Sequence, residues 1–152
     1  MGKNNDTPLF LATDSGNTGI VETSPKSALH LAVENGHTGI AEILLAYGAL
    51  IEAQDLNRCT PLHEAARNGH TSTAELLLTK GASVEPLDTN NRTPLHLAAE
   101  YGHTDVVELL LSFGASIRAA DKFSYTPLHL AAHCGHTAVV EFLLAKGAPV
   151  LA

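Results

Sequence analysis

The chain has 152 residues, 45% of them hydrophobic, and a formal net charge of −7. That size and composition suit one domain with a continuous core, and the acidic balance argues against nucleic acid, which rewards basic surfaces. The apolar runs, of the Leu109-Leu110-Leu111 kind, fall far below the ~18 residues that suggest a membrane span.

Met1 to Asp6 are polar, so no secretory signal is expected. Met1-Gly2 suits N-myristoylation, but Asp6 stands where that motif wants Ser or Thr. From Thr7-Pro8-Leu9-Phe10 to Gly16-Asn17-Thr18 the chain reads as half of a unit that recurs later. Thr7 to Ser27 spans 20 residues, short of the later period by 13, and Pro25 stops any helix begun at Thr18. Residues 7–21 are therefore expected to form an irregular N-terminal cap or a frayed segment.

Thr60-Pro61-Leu62-His63, Thr93-Pro94-Leu95-His96 and Thr126-Pro127-Leu128-His129 recur at a spacing of 33, and Ser27-Ala28-Leu29-His30 is a weaker copy one period earlier. A fixed period of this length marks supersecondary units that bury their apolar faces only by stacking. The units run 22–54, 55–87, 88–120 and 121–152, within a single domain over 1–152. In the third, Thr93 can cap a helix and Pro94 fits its first position, where no amide is needed. A short helix over Leu95 to Tyr101 follows, ended by Gly102 in a left-handed conformation. Thr104 is expected to cap a second helix, Asp105 to Phe113, with Asp105 at the positive end of its dipole. Gly114 closes it, and a hairpin-like loop leads to the next Thr-Pro. Each helix is shorter than the ~12–15 residues at which isolated helices become marginal in water. Val106, Val107, Leu109, Leu110 and Leu111 surround most of the second helix, so it must be sandwiched between neighbours.

The series Thr-Pro-Leu-His, Leu-Ala-Ala, Gly-His, Val-Val-Glu-Leu-Leu-Leu and Gly-Ala resembles the ankyrin repeat. The resemblance implies an all-α solenoid of stacked helix-turn-helix units joined by hairpin-like loops, acting as a protein–protein interaction module. Many ankyrin repeats place Gly two residues before Thr-Pro, whereas Pro25, Arg58, Asn91 and Ser124 stand there in this chain. The turn tips are thus expected to be less permissive and to carry side chains. At the other end, Val139, Val140, Phe142, Leu143 and Leu144 keep the internal apolar pattern where a terminal repeat normally turns polar. That leaves room for further repeats or for self-association through the C-terminal repeat.

Little in the sequence points to chemistry. Eight of nine histidines fall on two columns of the repeat, His30, His63, His96 and His129, and His37, His70, His103 and His136. Hydrogen bonds tying one loop to the next explain that regularity. His133 is off the columns and lies near Cys134 and His136, but structural zinc wants four ligands and no second cluster answers this one. Gly102 and Gly114 follow helices, whereas phosphate loops precede them. Glu42, Glu75, Glu108 and Glu141 recur as a solvated stripe with no acid–base pairing. No catalytic residue, metal or other cofactor is expected, and the chain is read as no enzyme. Cys59 and Cys134 lie two repeats apart, ~20 Å at ~10 Å per helix, beyond the ~7 Å reach of a disulfide. Free thiols suit an intracellular setting, cytoplasm or nucleus.

The ankyrin resemblance places partners on the hairpin tips and the exposed face of the first helices. On this chain that marks 56–59, 89–92 and 122–125 at the tips, and Glu34, Asn35, Arg67, Asn68, Glu100, Tyr101, His133 and Cys134 at the helix ends. Tyr101, Phe123 and Tyr125 fall on this edge with Arg58, Arg67 and Arg92, and the last arginine, Arg118, lies just before it. Tyr and Arg dominate binding hot spots, and Arg suits bidentate contact with carboxylates. The expected partner is a protein or peptide with apolar anchors and some acidic residues. The alternative is a structural spacer or assembly scaffold, or an engineered consensus-type binding scaffold.

Overall fold

The computed structural model describes residues 26–150, which form eight short helices. They are α1 (Ala28–Glu34), α2 (Thr38–Ala46), α3 (Pro61–Asn68), α4 (Thr71–Thr79), α5 (Pro94–Glu100), α6 (Thr104–Ser112), α7 (Pro127–His133) and α8 (Thr137–Ala145). The half unit expected at 7–21 lies outside the described residues.

Each odd-numbered helix starts in the same way. The hydroxyl of Ser27, Thr60, Thr93 or Thr126 accepts the amide of the histidine three residues on, and that histidine's ring accepts the cap's own amide. This is a capping box with His where Glu or Gln commonly stands. Pro61, Pro94 and Pro127 take the first helical position, where a missing amide costs nothing.

The even-numbered helices correct one expectation. Thr104 is the first residue of α6, and its N-cap is His103, which makes no side-chain capping bond. The imidazole of His103 is instead turned back to the Arg67 carbonyl of the preceding unit, 2.9 Å away. Both helices of this unit accordingly begin and end one residue earlier than the turn signals suggested. Gly102, between them, takes the left-handed conformation with φ +79.

Helices α1, α3, α5 and α7 pack side by side in one layer, and α2, α4, α6 and α8 in a second. Alanines at 65, 66, 98, 99 and 131 are fully buried and let the first layer close up more tightly than the second. The stack therefore curves with the first helices on its concave side. Leu29, Leu62 and Leu95 form one buried column and Leu77, Leu110 and Leu143 another. Each such leucine contributes about 1.5–3 kcal/mol of burial.

Two ladders of histidines join the units. In the first, Nδ1 accepts the cap amide, so the proton sits on Nε2 and is donated forward. His30 reaches the Cys59 carbonyl at 2.7 Å, and His63 and His96 reach those of Arg92 and Tyr125 at 2.9 Å. In the second, Nε2 of His70, His103 and His136 reaches back to the carbonyls of Glu34, Arg67 and Glu100 at 2.8–2.9 Å. Each junction between described units is thus bolted from both sides. Apart from His37, the regular histidines hold the architecture, as their spacing implied.

At the C-terminal end, Val139 and Leu143 are buried, Val140 and Phe142 are half-buried, and Leu144 is exposed. The internal apolar pattern carries on there with no further unit described beyond it.

Candidate partner-binding surface

The hairpin tips are held by a column of aspartates. Oδ1 of Asp55 accepts the amides of Asn57 and Cys59 at 2.8 and 3.0 Å. Asp88 does the same for Asn90 and Arg92, and Asp121 for Phe123 and Tyr125 at 2.8 and 2.9 Å. Successive tips are then joined by backbone bonds, Thr89 N–H to the Asn57 carbonyl and Lys122 N–H to the Asn90 carbonyl. Asp55, Asp88 and Asp121 are buried and their recurrence at 33 was legible, but sequence reasoning passed over them. Burial opposes ionisation of Asp121, yet the amides of Tyr125 and Phe123 and the Arg92 guanidinium prevail, holding its carboxyl below the usual range.

These bonds force the residue at the tip into the left-handed region. Arg58, Asn91 and Ser124 have φ of +63, +59 and +70. Asn tolerates that conformation, whereas for other side chains it costs roughly 1–2 kcal/mol per residue. The tips do carry side chains, and they adopt the glycine-like geometry regardless.

Four of the six residues marked by the sequence stand out in solvent. Tyr101, Phe123 and Tyr125 are about half exposed, and Arg58 is exposed. Phe123 and Tyr125 are brought together, with ring centroids 6.5 Å apart. The Tyr125 ring also lies 5.8 Å from that of His129, and Lys122 Nζ sits 5.6 Å above Phe123. No ring contact joins Tyr101, at the C-cap of α5, to this pair. On the opposite side Glu42, Glu75, Glu108 and Glu141 are all exposed, a solvated acidic back.

Arg67 and Arg92 arrive at this surface already paired. Arg92 donates from Nε to Asp121 at 3.1 Å and from Nη1 to Glu100 at 3.0 Å, so it braces the tip that carries Phe123 and Tyr125. Arg67 donates to Glu64 at 2.8 Å and points Nη2 at the sulfur of Cys59, 3.5 Å away. Cys59 is buried beneath it and leaves the set of exposed tip residues. Cys134 and His133 are exposed, and His136 is committed to the Glu100 carbonyl.

Glu64 is the other residue that sequence reasoning missed. It is buried where Leu31, Leu97 and Leu130 stand in the other units, and being off the pattern it carried no periodic signal. Its second oxygen lies 3.3 Å from Lys26 Nζ, a charge contact with no aligned hydrogen bond. Asp55, Cys59 and Glu64 bring ligand-type atoms within 4.8 Å of one another. Two cations, Lys26 and Arg67, already supply the compensating charge. Burial also pushes the Cys59 thiol up to about 11, against the pull of Arg67, so it stands here as a neutral thiol. The cluster is an ion-pair knot.

Paired short helices, stacked in register and bolted by periodic histidines, define a helical-repeat solenoid. A family model described as ankyrin repeats (3 copies) matches residues 21–88 and 81–152, and the chain belongs to the ankyrin-repeat family. Such repeats are generally protein–protein interaction modules, typically non-enzymatic scaffolds. A comparison with curated proteins finds no significant match. Among the described residues, no helix is long and apolar enough to cross a membrane.

Proposed function

We propose that this chain binds a protein or peptide partner through its concave side, at the tips and the ends of the first helices. The aromatic centre is Phe123 and Tyr125, with Tyr101 on the neighbouring unit; Arg58, Arg67 and Arg92 flank it. The observation that carries this reading is the exposed Phe123–Tyr125 pair on a tip held by Asp121 and Arg92. Exposed aromatics on a fixed loop lose little ordering entropy on docking and belong to the residue types that dominate hot spots. The left-handed Arg58 and Ser124 support it further, since strained positions cluster at functional sites.

Lys122 leaves a cationic side chain exposed beside the aromatics and Arg58 another two tips along, which favours a segment with apolar anchors next to carboxylates. Arg67 and Arg92 act mainly by holding that surface in place. Panning a displayed random-peptide library on the chain tests this. Enriched peptides are expected to pair an aromatic or aliphatic residue with acidic neighbours. They should bind a Tyr101→Ala, Phe123→Ala, Tyr125→Ala variant at least ten-fold more weakly, from about 1.4 kcal/mol or more of lost contact. Equal binding to the triple variant would remove the proposed site.

A further inference from the structure

The contact between adjacent units occurs three times among the described residues, and the first and last described units each leave one half of it without a described partner. On the half facing the preceding unit, Thr73, Val106 and Val139 are buried, whereas Ile40 in the same column is 51% exposed. Glu64, Leu97 and Leu130 are buried likewise, and Leu31 in their column is 50% exposed. On the half facing the following unit, Ala66 and Ala99 are buried but Ala132 is exposed, and Leu144 is 41% exposed where Leu78 is buried.

The second histidine ladder adds a specific key and slot. A Cβ on Gly36, Gly69 or Gly102 would lie 2.8, 2.5 or 2.6 Å from the ring of His70, His103 or His136. Each of these glycines is the floor on which the next unit's imidazole rests. Gly135 has the same left-handed backbone as Gly102, φ +79, and nothing within 4 Å of its Cβ position. At the other end, His37 heads the same ladder, is exposed, and bonds none of the described carbonyls.

The geometry points to a second copy of this chain as the occupant. We propose that α1 and α2 of one molecule dock on α7 and α8 of another and continue the stack across the molecular boundary. His37 of one copy then rests on Gly135 of the next and donates its Nε2 proton to the His133 carbonyl, one period after Glu100. Leu31 and Ile40 cover Ala132, Val140 and Leu144. The two patches differ, so the contact is head-to-tail and does not close on itself.

Light scattering over a concentration series, with end-specific variants, tests this. The wild-type mass is expected to rise with concentration past twice the monomer's 16.0 kDa. Ile40→Asp and Leu144→Asp each spoil one end at an exposed position, and circular dichroism checks their folding, with Ser versions replacing any that unfold. Alone, each variant should stay monomeric. Mixed, they should form a dimer and stop there, because each still owns the half that the other lacks. A wild-type mass fixed at 16.0 kDa into the millimolar range overturns the proposal, as when another segment of the chain covers the first face. So does association of either variant by itself, which would mean like faces pairing.

Discussion

Replacing Gly102 with Ala is expected to destabilise the chain by about 2–5 kcal/mol, while the same change at Gly135 costs about 1–2 kcal/mol. Both glycines have φ +79, so the left-handed strain of roughly 1–2 kcal/mol is common to the two. What differs is the neighbour. At Gly102 the new methyl would meet the His136 ring at 2.6 Å, and at Gly135 it meets nothing within 4 Å. Because His136 is bonded to the Glu100 carbonyl at 2.8 Å, it can move only by giving up that bond. A part-buried acceptor left unpaired accounts for the remaining ~1–3 kcal/mol. Urea denaturation at low protein concentration, where association is minimal, gives both values. Equal losses at the two sites would mean that the ring-on-glycine contact contributes nothing.

The second large effect is expected at His63. His63→Leu keeps an apolar side chain in a fully buried place but strands two groups, the Thr60 amide that donates to Nδ1 and the Arg92 carbonyl that accepts from Nε2. At about 1–3 kcal/mol for each stranded group, the loss is about 2–6 kcal/mol. A whole domain is stable by only ~5–15 kcal/mol. The damage falls at one junction of a chain whose units contact only their neighbours, so unfolding should broaden as the two sides lose coupling. His37→Leu is the matched control: that ring is exposed, and its loss should change the isolated monomer by less than about 0.5 kcal/mol.

The same histidines set the acid response. Burial, outweighing the bonds to their carbonyl partners, lowers the pKa of His30, His63 and His96 below the usual 6.5. Below about pH 6.5 the unfolded chain binds protons that the folded chain refuses, so stability falls as pH falls from there. Asp121, with its depressed carboxyl, adds a further loss below about pH 4. His63→Leu removes one of the three buried imidazoles, so its stability should vary less steeply between pH 7 and pH 5 than the wild type's.

The stack was legible because its causes are periodic. A capping Ser or Thr, a Pro, a His and a Gly at fixed offsets each act locally and repeat every 33 residues. Relations made by the tips, within a unit and across its boundary, were harder to read. Arg92 and Glu100 are eight residues apart, no helical spacing, and meet only because the tip folds back over its own helix; Arg92 and Asp121 meet across a repeat boundary. The arginines at 67 and 92 therefore read as free binding groups although ion pairs occupy them. The missing tip glycines read as stiffer turns, whereas the aspartate at the base of each tip imposes the left-handed conformation on Arg58, Asn91 and Ser124. Thr104 read as a cap because Thr is a common one; the competing demand on His103, its bond to Arg67, could not be seen locally.

Affinity capture from cell lysate tests the central claim most directly. The wild-type chain would be compared with the Tyr101→Ala, Phe123→Ala, Tyr125→Ala variant, both shown by urea denaturation to be equally folded. Proteins retained by the wild type and lost by the variant are the predicted result, and would place partner binding on the aromatic tip surface. Proteins retained equally by both would contradict it and move binding to another face of the stack.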